Sequence, residues 1–422
     1  MLTKAPKGTA DILPGKTQKW QYAEGVIRDI CKNFGVSEIR TPVFEHTELF
    51  SRGVGDTTDV VEKEMYTFED KGARSITLRP EGTSGAARSF IENGLFNNPQ
   101  PTKLYYQISC YRYEKPQAGR MREFHQFGVE YFGSQSPYAD AEIIELALMI
   151  FEKLGIEGLS LRINSIGCPK CRKAYNEKLR EYLSANYDSL CDTCKGRFER
   201  NPMRIIDCKS DICKSVVKGA PRLIDYLCDE CREHFDTVKT LLENVGIKYE
   251  IDPDIVRGLD YYTKTVFEIT ADIESANTTI CGGGRYDGLV EQLGGPSTPA
   301  CGFAIGMERL FLALEAQGKE PASEDALDIY VGSIDGECAK YAQRLVHALR
   351  KLGVSADCDK MQRSVKAQMK YANKLGVKFS AIIGGDEIAN GRISIKNMSL
   401  GKADDVILSP EEIAGYILKQ AH

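Results

Sequence analysis

The chain has 422 residues, of which 42% are hydrophobic and 27% charged, a balance that is ordinary for a globular protein with a substantial core. At this length we expect two or three domains. The net charge of -5 gives no sign of nucleic-acid binding, although a local basic surface can bind a polyanion on an acidic chain. No run of about 18 apolar residues is present, and residues 1–15 lack the apolar core of a signal peptide. The sequence therefore predicts a cytoplasmic protein with no membrane partner.

The first elements in chain order have clear local signals. Apolar residues on one face predict a helix over 16–34. The runs 65–68 and 75–78 predict a hairpin. A second helix is predicted to begin at Thr83, at the end of the segment LRPEGT.

Residues 103–133 predict two long strands joined by the charged, turn-rich KPQAG loop. Alternation with period two places these side chains on one face of the first strand: Tyr106, Ile108, Cys110, Arg112 and Glu114. One face of the second strand carries Arg122, Phe124, Gln126, Glu130 and Phe132. If the two faces coincide, a guanidinium, an amide and a carboxylate share one surface. This surface is either a binding site or a hydrated sheet face.

The later segments predict an insertion and a further domain. Ser136 as N-cap and Pro137 as first residue predict a helix that runs to about Leu154. Short helical segments rich in Cys, Lys and Arg then predict an inserted domain, and alternating strands and helices near the C-terminus predict a small α/β domain. The predicted bounds are 1–167 and 251–320 for the two parts of the first domain, 168–250 for the insertion and 326–422 for the last domain.

Three arginines lie within a strand or helix-start pattern: Arg112, Arg257 and Arg309. The planar guanidinium matches phosphate and carboxylate groups, so together they predict an anionic ligand of the polyphosphate type. For each arginine alone, a structural ion pair is the favoured interpretation. The run CGGGRYDGL at 281–289 permits either a close approach of the backbone to a ligand or a tight turn.

Two carboxylates, Glu81 and Glu130, together with Gln126, predict a site for a cationic or hydrogen-bond-donating small molecule. Three tyrosines could supply hydroxyl groups to this ligand or pack in a core: Tyr261, Tyr262 and Tyr286.

Eight of the fourteen cysteines form four close pairs in the insertion: Cys168 and Cys171, Cys191 and Cys194, Cys208 and Cys213, Cys228 and Cys231. Two CxxC units about twenty residues apart fit a structural zinc site with thiolate ligands. In a reducing compartment the alternative is that these thiols are inert.

Several of these segments together resemble class II aminoacyl-tRNA synthetases. The first helix with the strand that ends at Pro42, the hairpin with Arg112 and the segment GFAIGMERL with Arg309 are similar to the three motifs of that class. The segments RGLDYYTKT from Arg257 and GGGRYDGL from Gly282 are similar to those peculiar to histidyl-tRNA synthetases of the bacterial type. The resemblance covers essentially the full chain.

The resemblance implies an α+β fold with an antiparallel-sheet catalytic domain, an inserted mostly helical domain and a C-terminal α/β anticodon-binding domain. It implies a homodimeric ligase that uses ATP and Mg²⁺ to activate L-histidine and transfers histidine to the 3′ end of tRNA(His). One alternative is an inactive paralogue that regulates histidine biosynthesis, which we expect to lack the motif arginines and the C-terminal domain. Another is a nucleic-acid-binding module built on the Cys-rich insertion.

The resemblance also implies roles for individual residues. Arg112 corresponds to the arginine that binds the α-phosphate and the amino-acid carboxylate, Arg309 to that for the γ-phosphate, and Arg120 to a nucleotide contact. Arg257 corresponds to the arginine on the other side of the α-phosphate, and Arg112 and Arg257 are the implied catalytic residues. The implied histidine-binding residues are Arg257, Glu81, Thr83 and Gln126, then Glu130 and Tyr262 at the imidazole, with Tyr261 and Tyr286 beside them.

Two further regions are implied to contact tRNA. The hairpin loop 114–121 corresponds to one that approaches the acceptor end, and Lys366, Lys370 and Lys374 share a predicted helix face in the anticodon-binding domain. Solvated surface lysines are the alternative interpretation. The resemblance brings no zinc requirement with it, so the insertion cysteines remain either structural zinc ligands or inert thiols.

Overall fold

The structure is a computed structural model that describes residues 3–55, 58, 60–206, 208, 210–255, 260–273, 276–319 and 326–420. The chain forms two units, Met1–Ala322 and Ser323–His422. None of the helices in the described ranges combines the length and the apolar character that crossing a membrane requires.

The predicted elements of the first unit occur in the predicted order, and the structure adds a helix at Thr47–Val54 that was not predicted. Its strands are β1 (Ser37–Glu38), β2 (Phe44–His46), β3 (Thr67–Glu69), β4 (Ser75–Leu78), β5 (Thr102–Tyr111), β6 (Glu123–Phe132), β7 (Ser160–Ser165), β8 (Glu250–Ile251), β9 (Thr263–Ile273), β10 (Ala276–Arg285) and β11 (Ala300–Gly306). Its helices are α1 (Thr17–Asn33), α2 (Thr47–Val54), α3 (Thr83–Glu92), α4 (Pro137–Lys153), α5 (Pro169–Ser184), α6 (Asp192–Arg200), α7 (Asp211–Val217), α8 (Asp229–Asn244), α9 (Leu289–Gln292) and α10 (Met307–Ala316).

An eight-stranded sheet forms the centre of this unit, in the order β1-β5-β6-β11-β10-β9-β7-β8. Every pair from β5 to β7 is antiparallel, and only the two short outer strands pair in parallel. The predicted antiparallel catalytic sheet is therefore confirmed. The hairpin predicted at 65–78 is also confirmed and belongs to a separate sheet of order β2-β4-β3.

The helices on one side of the sheet bury the apolar stripes that the sequence shows. The predicted stripe of α1 is buried at Ala23, Ile27 and Ile30, and Gly35 follows the helix with a positive φ of 67°. The side chain of Ser136 accepts a hydrogen bond from the backbone N–H of Tyr138 and so caps α4 as predicted.

The long hairpin β5–β6 has the register that the alternation predicted. Ile108 lies opposite Gln126, and Leu104 lies opposite Glu130. Residues directly opposite each other in an antiparallel pair project to the same face. The two predicted faces therefore coincide, and this face forms the floor of the cavity described below.

Two glycines of the run are required for strand packing, and Gly282 of the same run lines the cavity described below. A Cβ on Gly283 would lie 2.4 Å from the carbonyl oxygen of Gly302, and one on Gly284 would lie 2.5 Å from the carbonyl oxygen of Thr265. Both residues belong to β10, so side chains at these positions would clash with the neighbouring strands. The glycines allow β9, β10 and β11 to pack closely.

The insertion is helical, as predicted, and its last helix packs on the catalytic core. Phe235, Val238 and Leu242 of α8 belong to the same buried cluster as α1 and α4. A buried ionic group reinforces this contact: Arg285 of β10 donates to Asp140 of α4, and His234 of α8 lies 3.3 Å from the same carboxylate. Burial opposes ionisation of Asp140, but Arg285 holds its pKa below the usual range. The predicted insertion bounds stay a prediction.

The second unit is the predicted α/β domain. Its elements are β12 (Ile329–Ser333), α11 (Gly336–Lys351), β13 (Ala356–Cys358), α12 (Val365–Leu375), β14 (Phe379–Ile383), α13 (Gly385–Asn390), β15 (Arg392–Asn397), β16 (Ala403–Ile407) and α14 (Pro410–Gln420). The sheet order is β13-β12-β14-β15-β16. Two elements of this unit were not predicted: α13 is short and has no buried residue, and β16 is an exposed edge strand without apolar alternation.

Candidate active site

A cavity of about 770 Å³ lies over the β5–β6 face in the first unit, a volume typical of small-molecule sites. The structure brings ten of the predicted site residues to its lining: Glu81, Thr83, Arg112, Arg120, Gln126, Glu130, Tyr261, Tyr262, Tyr286 and Arg309. The eleventh, Arg257, lies outside the described residues. These residues come from five segments of the chain, and the sheet topology is what collects them.

One part of the cavity carries three guanidinium groups. Arg112 donates from Nε to the carbonyl oxygen of Pro80 at 2.8 Å, and Arg309 donates from Nη1 to that of Thr279 at 2.7 Å. Burial and the positive charges of Arg120 and Arg112 lower the pKa of Arg309. Like charges held together in this way are stabilised when an anion binds between them. The cluster is therefore suited to a polyphosphate.

One acidic residue, Glu114, contacts two of these arginines. Its carboxylate is 3.4 Å from Nη1 of Arg120 and 4.0 Å from Nη1 of Arg112. This carboxylate offsets part of the positive charge of Arg112 and Arg120. Arg112 and Glu114 are 20% and 18% exposed, so the pair is largely held in place before a ligand arrives.

Another part of the cavity contains a buried carboxyl group. Glu130 is 1% exposed and accepts hydrogen bonds from the hydroxyls of Thr83 at 2.7 Å, Tyr106 at 2.9 Å and Tyr286. Burial raises the pKa of Glu130 to about 8, although the three hydroxyl groups favour its ionised form. A Cβ on Gly302 would fall 2.1 Å from Oε2 of Glu130, so this carboxyl has no spare space behind it. Such a group suits a ligand that donates a hydrogen bond.

The Glu81 carboxylate lies at the N-terminus of α3. It accepts the backbone N–H groups of Thr83 at 2.6 Å and Ser84 at 2.9 Å, in the manner of a helix cap. Gln126 lies on the floor, where its Oε1 accepts from Sγ of Cys110 at 3.5 Å. These side chains add oriented polar groups beside Glu130.

The three predicted tyrosines form an aromatic wall. Tyr261 packs against Tyr262 at 4.7 Å and against Tyr286 at 5.4 Å between ring centroids. All three side chains are at most 6% exposed, so they pack in the core, as one of the two interpretations predicted. They also line the cavity, where their rings give a planar ligand an apolar surface.

The raised pKa of Glu130 predicts a pH effect on stability. Its pKa is about 8 in the folded chain against an ordinary 4.5, so its contribution to the free energy of unfolding should be lost as the pH rises through this window. Glu130→Gln removes the titration. As the pH rises from about 5 to about 9, the free energy of unfolding of the variant should therefore increase by a few kcal/mol relative to that of the parent. One pKa unit corresponds to about 1.4 kcal/mol. Denaturant unfolding across this range checks it, and parallel stability curves would contradict the assignment.

The structure adds cavity residues that the sequence analysis missed. Glu268 projects from β9 into the cavity, and its carboxylate accepts from Oγ1 of Thr279 at 3.1 Å. Arg197 and Arg204 of the insertion also line the cavity. Alternation along β9 could have placed Glu268 on an inward face, whereas nothing in the local sequence indicates that the insertion reaches this site.

The insertion cysteines form two groups, and within each group the four sulfur atoms lie within 4.8 Å of one another. We call Cys168, Cys171, Cys228 and Cys231 the outer cysteine group, and Cys191, Cys194, Cys208 and Cys213 the inner cysteine group. Each could hold a metal ion. The two CxxC pairs that lie about twenty residues apart, at 168–171 and 191–194, belong to different groups because the pairs are nested as the chain folds back.

The sheet, the cavity and the α/β unit together define the fold of a class II aminoacyl-tRNA synthetase, as the sequence resemblance implied. Within that class, a family model of histidyl-tRNA synthetase matches residues 8–310, and a model of the anticodon binding domain matches residues 328–420. The chain belongs to the histidyl-tRNA synthetase family.

Individual relatives are similar over nearly the whole chain. The chain is 58% identical over 408 residues to the histidine-tRNA ligase of Acetivibrio thermocellus, covering 97% of this chain and 98% of that protein. It is 55% identical over 418 residues to the histidine-tRNA ligase of Clostridium perfringens, covering 99% of this chain and 100% of that protein. A crystal structure of apo Staphylococcus aureus histidyl-tRNA synthetase has a TM-score of 0.85 at 41% identity, covering 99% and 100%. These similarities do not favour the regulatory paralogue.

Proposed function

We propose that this chain activates L-histidine with ATP, forming histidyl-adenylate and pyrophosphate, and then transfers histidine to the 3′ end of tRNA(His). The observation that carries the proposal is that one cavity contains both the cluster of Arg112, Arg120 and Arg309 and the buried Glu130. An arginine cluster suits the triphosphate, and a carboxyl group suits the imidazole N–H. The names of the bacterial relatives support the same activity.

In the first step, a carboxylate oxygen of histidine attacks the α-phosphorus of ATP while the bond to pyrophosphate breaks. Negative charge builds up on the non-bridging oxygens of the α-phosphate. We assign Arg112 to these oxygens and to the histidine carboxylate, and Arg309 to the γ-phosphate, with Arg120 on the nucleotide and Arg257 opposite Arg112. Donors that are already oriented stabilise this charge without a covalent enzyme intermediate.

At the other end of the ligand, we assign Glu130 and Tyr262 to the imidazole of histidine. The α-amino group is assigned to three polar residues, Glu81, Thr83 and Gln126, with Tyr261 and Tyr286 beside the ring. Glu130 already accepts hydrogen bonds from three hydroxyl groups, and a ligand whose ring could not pair with Glu130 and Tyr262 would forgo its own hydrogen bonds there, which gives selectivity for histidine. The 3′-terminal adenosine hydroxyl of the tRNA then attacks the histidyl carbonyl carbon and AMP leaves.

Magnesium fits the acidic residues of this cavity. The carboxylates of Glu114 and Glu268 line it together with the arginines, and Mg²⁺ prefers carboxylate and phosphate oxygens. We assign Mg²⁺ to Glu268, with Glu114 orienting Arg120 and Arg112. An ion held by Glu268 would neutralise part of the triphosphate charge.

Two surfaces are proposed to contact the tRNA. Lys366, Lys370 and Lys374 are exposed on α12 of the second unit. Exposed lysine side chains of this kind can contact the phosphate groups of the tRNA backbone. In the first unit, Lys115 and Gln117 of the hairpin loop 114–121 are proposed to reach the acceptor end.

We also propose a homodimer that works in the cytoplasm. Phe44 and Phe68 project from one face of the sheet β2-β4-β3 and are 56% and 48% exposed, and Val43, which precedes Phe44 in the chain, is 42% exposed. A second copy of the chain would cover this apolar surface. All fourteen cysteines are free thiols, which suits a reducing compartment. Sedimentation analysis tests the dimer, and a monomer at micromolar concentration would contradict it.

Aminoacylation tests the proposed function. The full chain with ATP, Mg²⁺ and labelled histidine should charge a tRNA(His) transcript and should leave a transcript for another amino acid uncharged. RNA binding without charging would instead support the nucleic-acid-binding alternative. That outcome would contradict the ligase assignment.

A further inference from the structure

We infer that the inner cysteine group binds Zn²⁺ and that this ion fixes one wall of the cavity described above. The inference rests on the proposed function for the identity of the ligand, histidine, but the metal site itself stands on the cysteine geometry. The outer cysteine group has the same chemistry and none of its cysteines lines the cavity, although Arg172 beside Cys171 donates to the carbonyl oxygen of Tyr262, so the chain contains an internal comparison.

The sulfur positions of the inner group fit tetrahedral zinc. Sγ of Cys191 and Sγ of Cys208 lie 3.9 Å apart. Four thiolates about 2.3 Å from one zinc ion lie about 3.8 Å from one another, whereas a disulfide requires about 2.05 Å. The backbone N–H of Cys191 also donates to Sγ of Cys213 at 3.3 Å, which stabilises negative charge on that sulfur.

The outer group repeats this arrangement with different residues. Sγ of Cys168 lies 3.6 Å from Sγ of Cys171 and 3.9 Å from Sγ of Cys228, and the backbone N–H of Cys228 donates to Sγ of Cys171 at 3.2 Å. In both groups the first cysteine of one pair therefore donates its N–H to the last cysteine of the other. Two groups that share a sulfur geometry and a hydrogen-bond pattern indicate ligand sets rather than chance clusters of inert thiols.

Only the inner group reaches the cavity. Cys191 and Cys208 line it, as do Arg197 and Arg204 from the segment between the two inner pairs, whereas none of the four outer cysteines does. The outer group joins the start of α5 to the start of α8, where the insertion leaves and returns to the sheet. The two groups therefore hold different parts of the insertion.

The segment between Cys194 and Cys208 contacts Asp260, the residue that precedes Tyr261 and Tyr262. Nδ2 of Asn201 donates to Oδ1 of Asp260 at 3.3 Å, and Nε of Arg204 lies 3.2 Å from the same oxygen. Nη1 of Arg197 donates to the carbonyl oxygen of Arg204 at 3.2 Å and braces the turn. Asp260 is followed directly by Tyr261 and Tyr262.

A metal ion in the inner group would close this segment into a loop and hold Arg204 against Asp260. Without the ion, four separate thiols would leave the loop free to move, and the tyrosines would lose the part of their support that comes through Asp260, while the hydrogen bonds of Asp260 N–H to Val54 and of Arg172 to Tyr262 would remain. Arg204 and Asn201 are thus positioning residues that act on histidine through Tyr261 and Tyr262.

The test begins with metal content. Full-length protein, purified from medium containing zinc and then denatured with a thiol-blocking reagent, should release two zinc ions per chain to a chromogenic reporter. Cys208→Ala and Cys228→Ala should each release one. Protein loaded with Co²⁺ should show the visible absorption of tetrahedral cobalt thiolate, weakened in each variant. Zinc well below one ion per chain would overturn the inference.

Histidine binding then separates the two groups. Calorimetry should give about a tenfold weaker affinity for Cys208→Ala and a change within about twofold for Cys228→Ala, since a small misplacement of binding groups is costly. Cys208→His keeps a zinc ligand and should restore both the second zinc and the affinity. Arg204→Gln should retain two zinc ions and still weaken histidine binding, so the inference is testable even if Cys208→Ala does not fold.

Equal histidine affinity in Cys208→Ala and the parent, or equal losses in Cys208→Ala and Cys228→Ala, would overturn the role of the wall. If the parent binds no histidine but contains two zinc ions, the proposed function fails while the metal sites stand. If the parent binds histidine but contains no zinc, only the inference fails.

Discussion

Replacing Arg112 by alanine is expected to lower kcat/KM for histidine-dependent pyrophosphate exchange by about 10²–10³, the usual cost of losing one oriented donor to a transition-state oxyanion. Arg112 is 20% exposed and is held by the carbonyl oxygen of Pro80 at 2.8 Å, so its guanidinium is oriented before substrates bind. The loss should fall mainly on kcat, because charge on the α-phosphate develops in the transition state.

Two variants act as controls for Arg112→Ala. Arg112→Lys keeps the charge but loses the planar fork, and it should recover only part of the rate. Arg120→Ala removes a guanidinium that is 40% exposed, and it should cost about tenfold, since a more exposed charge contributes less. Steady-state exchange kinetics measure all three. A loss in Arg112→Ala no greater than that in Arg120→Ala would contradict the assignment of the α-phosphate.

Replacing Glu130 by glutamine is expected to raise KM for histidine by about 10² or more and to change KM for ATP by less than about threefold. The carboxyl oxygens of Glu130 accept hydrogen bonds from the hydroxyl groups of Thr83, Tyr106 and Tyr286. An amide in this position presents its own N–H₂ group to those hydroxyls and to the ligand, so part of the pairing is lost. The variant should also discriminate less well between histidine and analogues that lack a ring N–H.

Glu114→Gln is the matched carboxylate control, because Glu114 contacts Arg120 and Arg112. The loss of this carboxylate charge should mainly change KM for ATP. Exchange kinetics with each substrate varied in turn give both constants for each variant. Equal losses for histidine and ATP in Glu130→Gln would count against the division of the cavity into an acidic histidine end and a basic phosphate end.

The floor of the site could be predicted from the sequence because it depends on local alternation. Gln126 and Glu130 are four residues apart on one strand, and Ile108 faces Gln126 across the hairpin, so a period of two is sufficient to place them on one face. Alternation does not say which strand comes next in the sheet. The order in which β11, β10 and β9 follow β6, which brings Tyr262 and Tyr286 to the same cavity, was not predicted from the sequence.

The grouping of the insertion cysteines could not be predicted from the sequence. Four cysteine pairs are obvious in the sequence, but their nesting depends on how α5 to α8 fold back over about sixty residues, and spacing alone favours the wrong partners. The contact of Arg204 with Asp260 joins residues far apart in the chain and depends on the same folding. Local patterns contain no information about such long-range contacts.

The central claim is tested most directly by exchange of labelled pyrophosphate into ATP with each of the twenty amino acids supplied in turn. The assay needs the chain, ATP and Mg²⁺ but no tRNA, so it isolates the chemistry of the cavity. We expect exchange with histidine and only background with the other amino acids, and we expect Arg112→Ala to abolish most of it. No exchange with histidine at saturating ATP, or exchange of similar rate with another amino acid, would contradict the account.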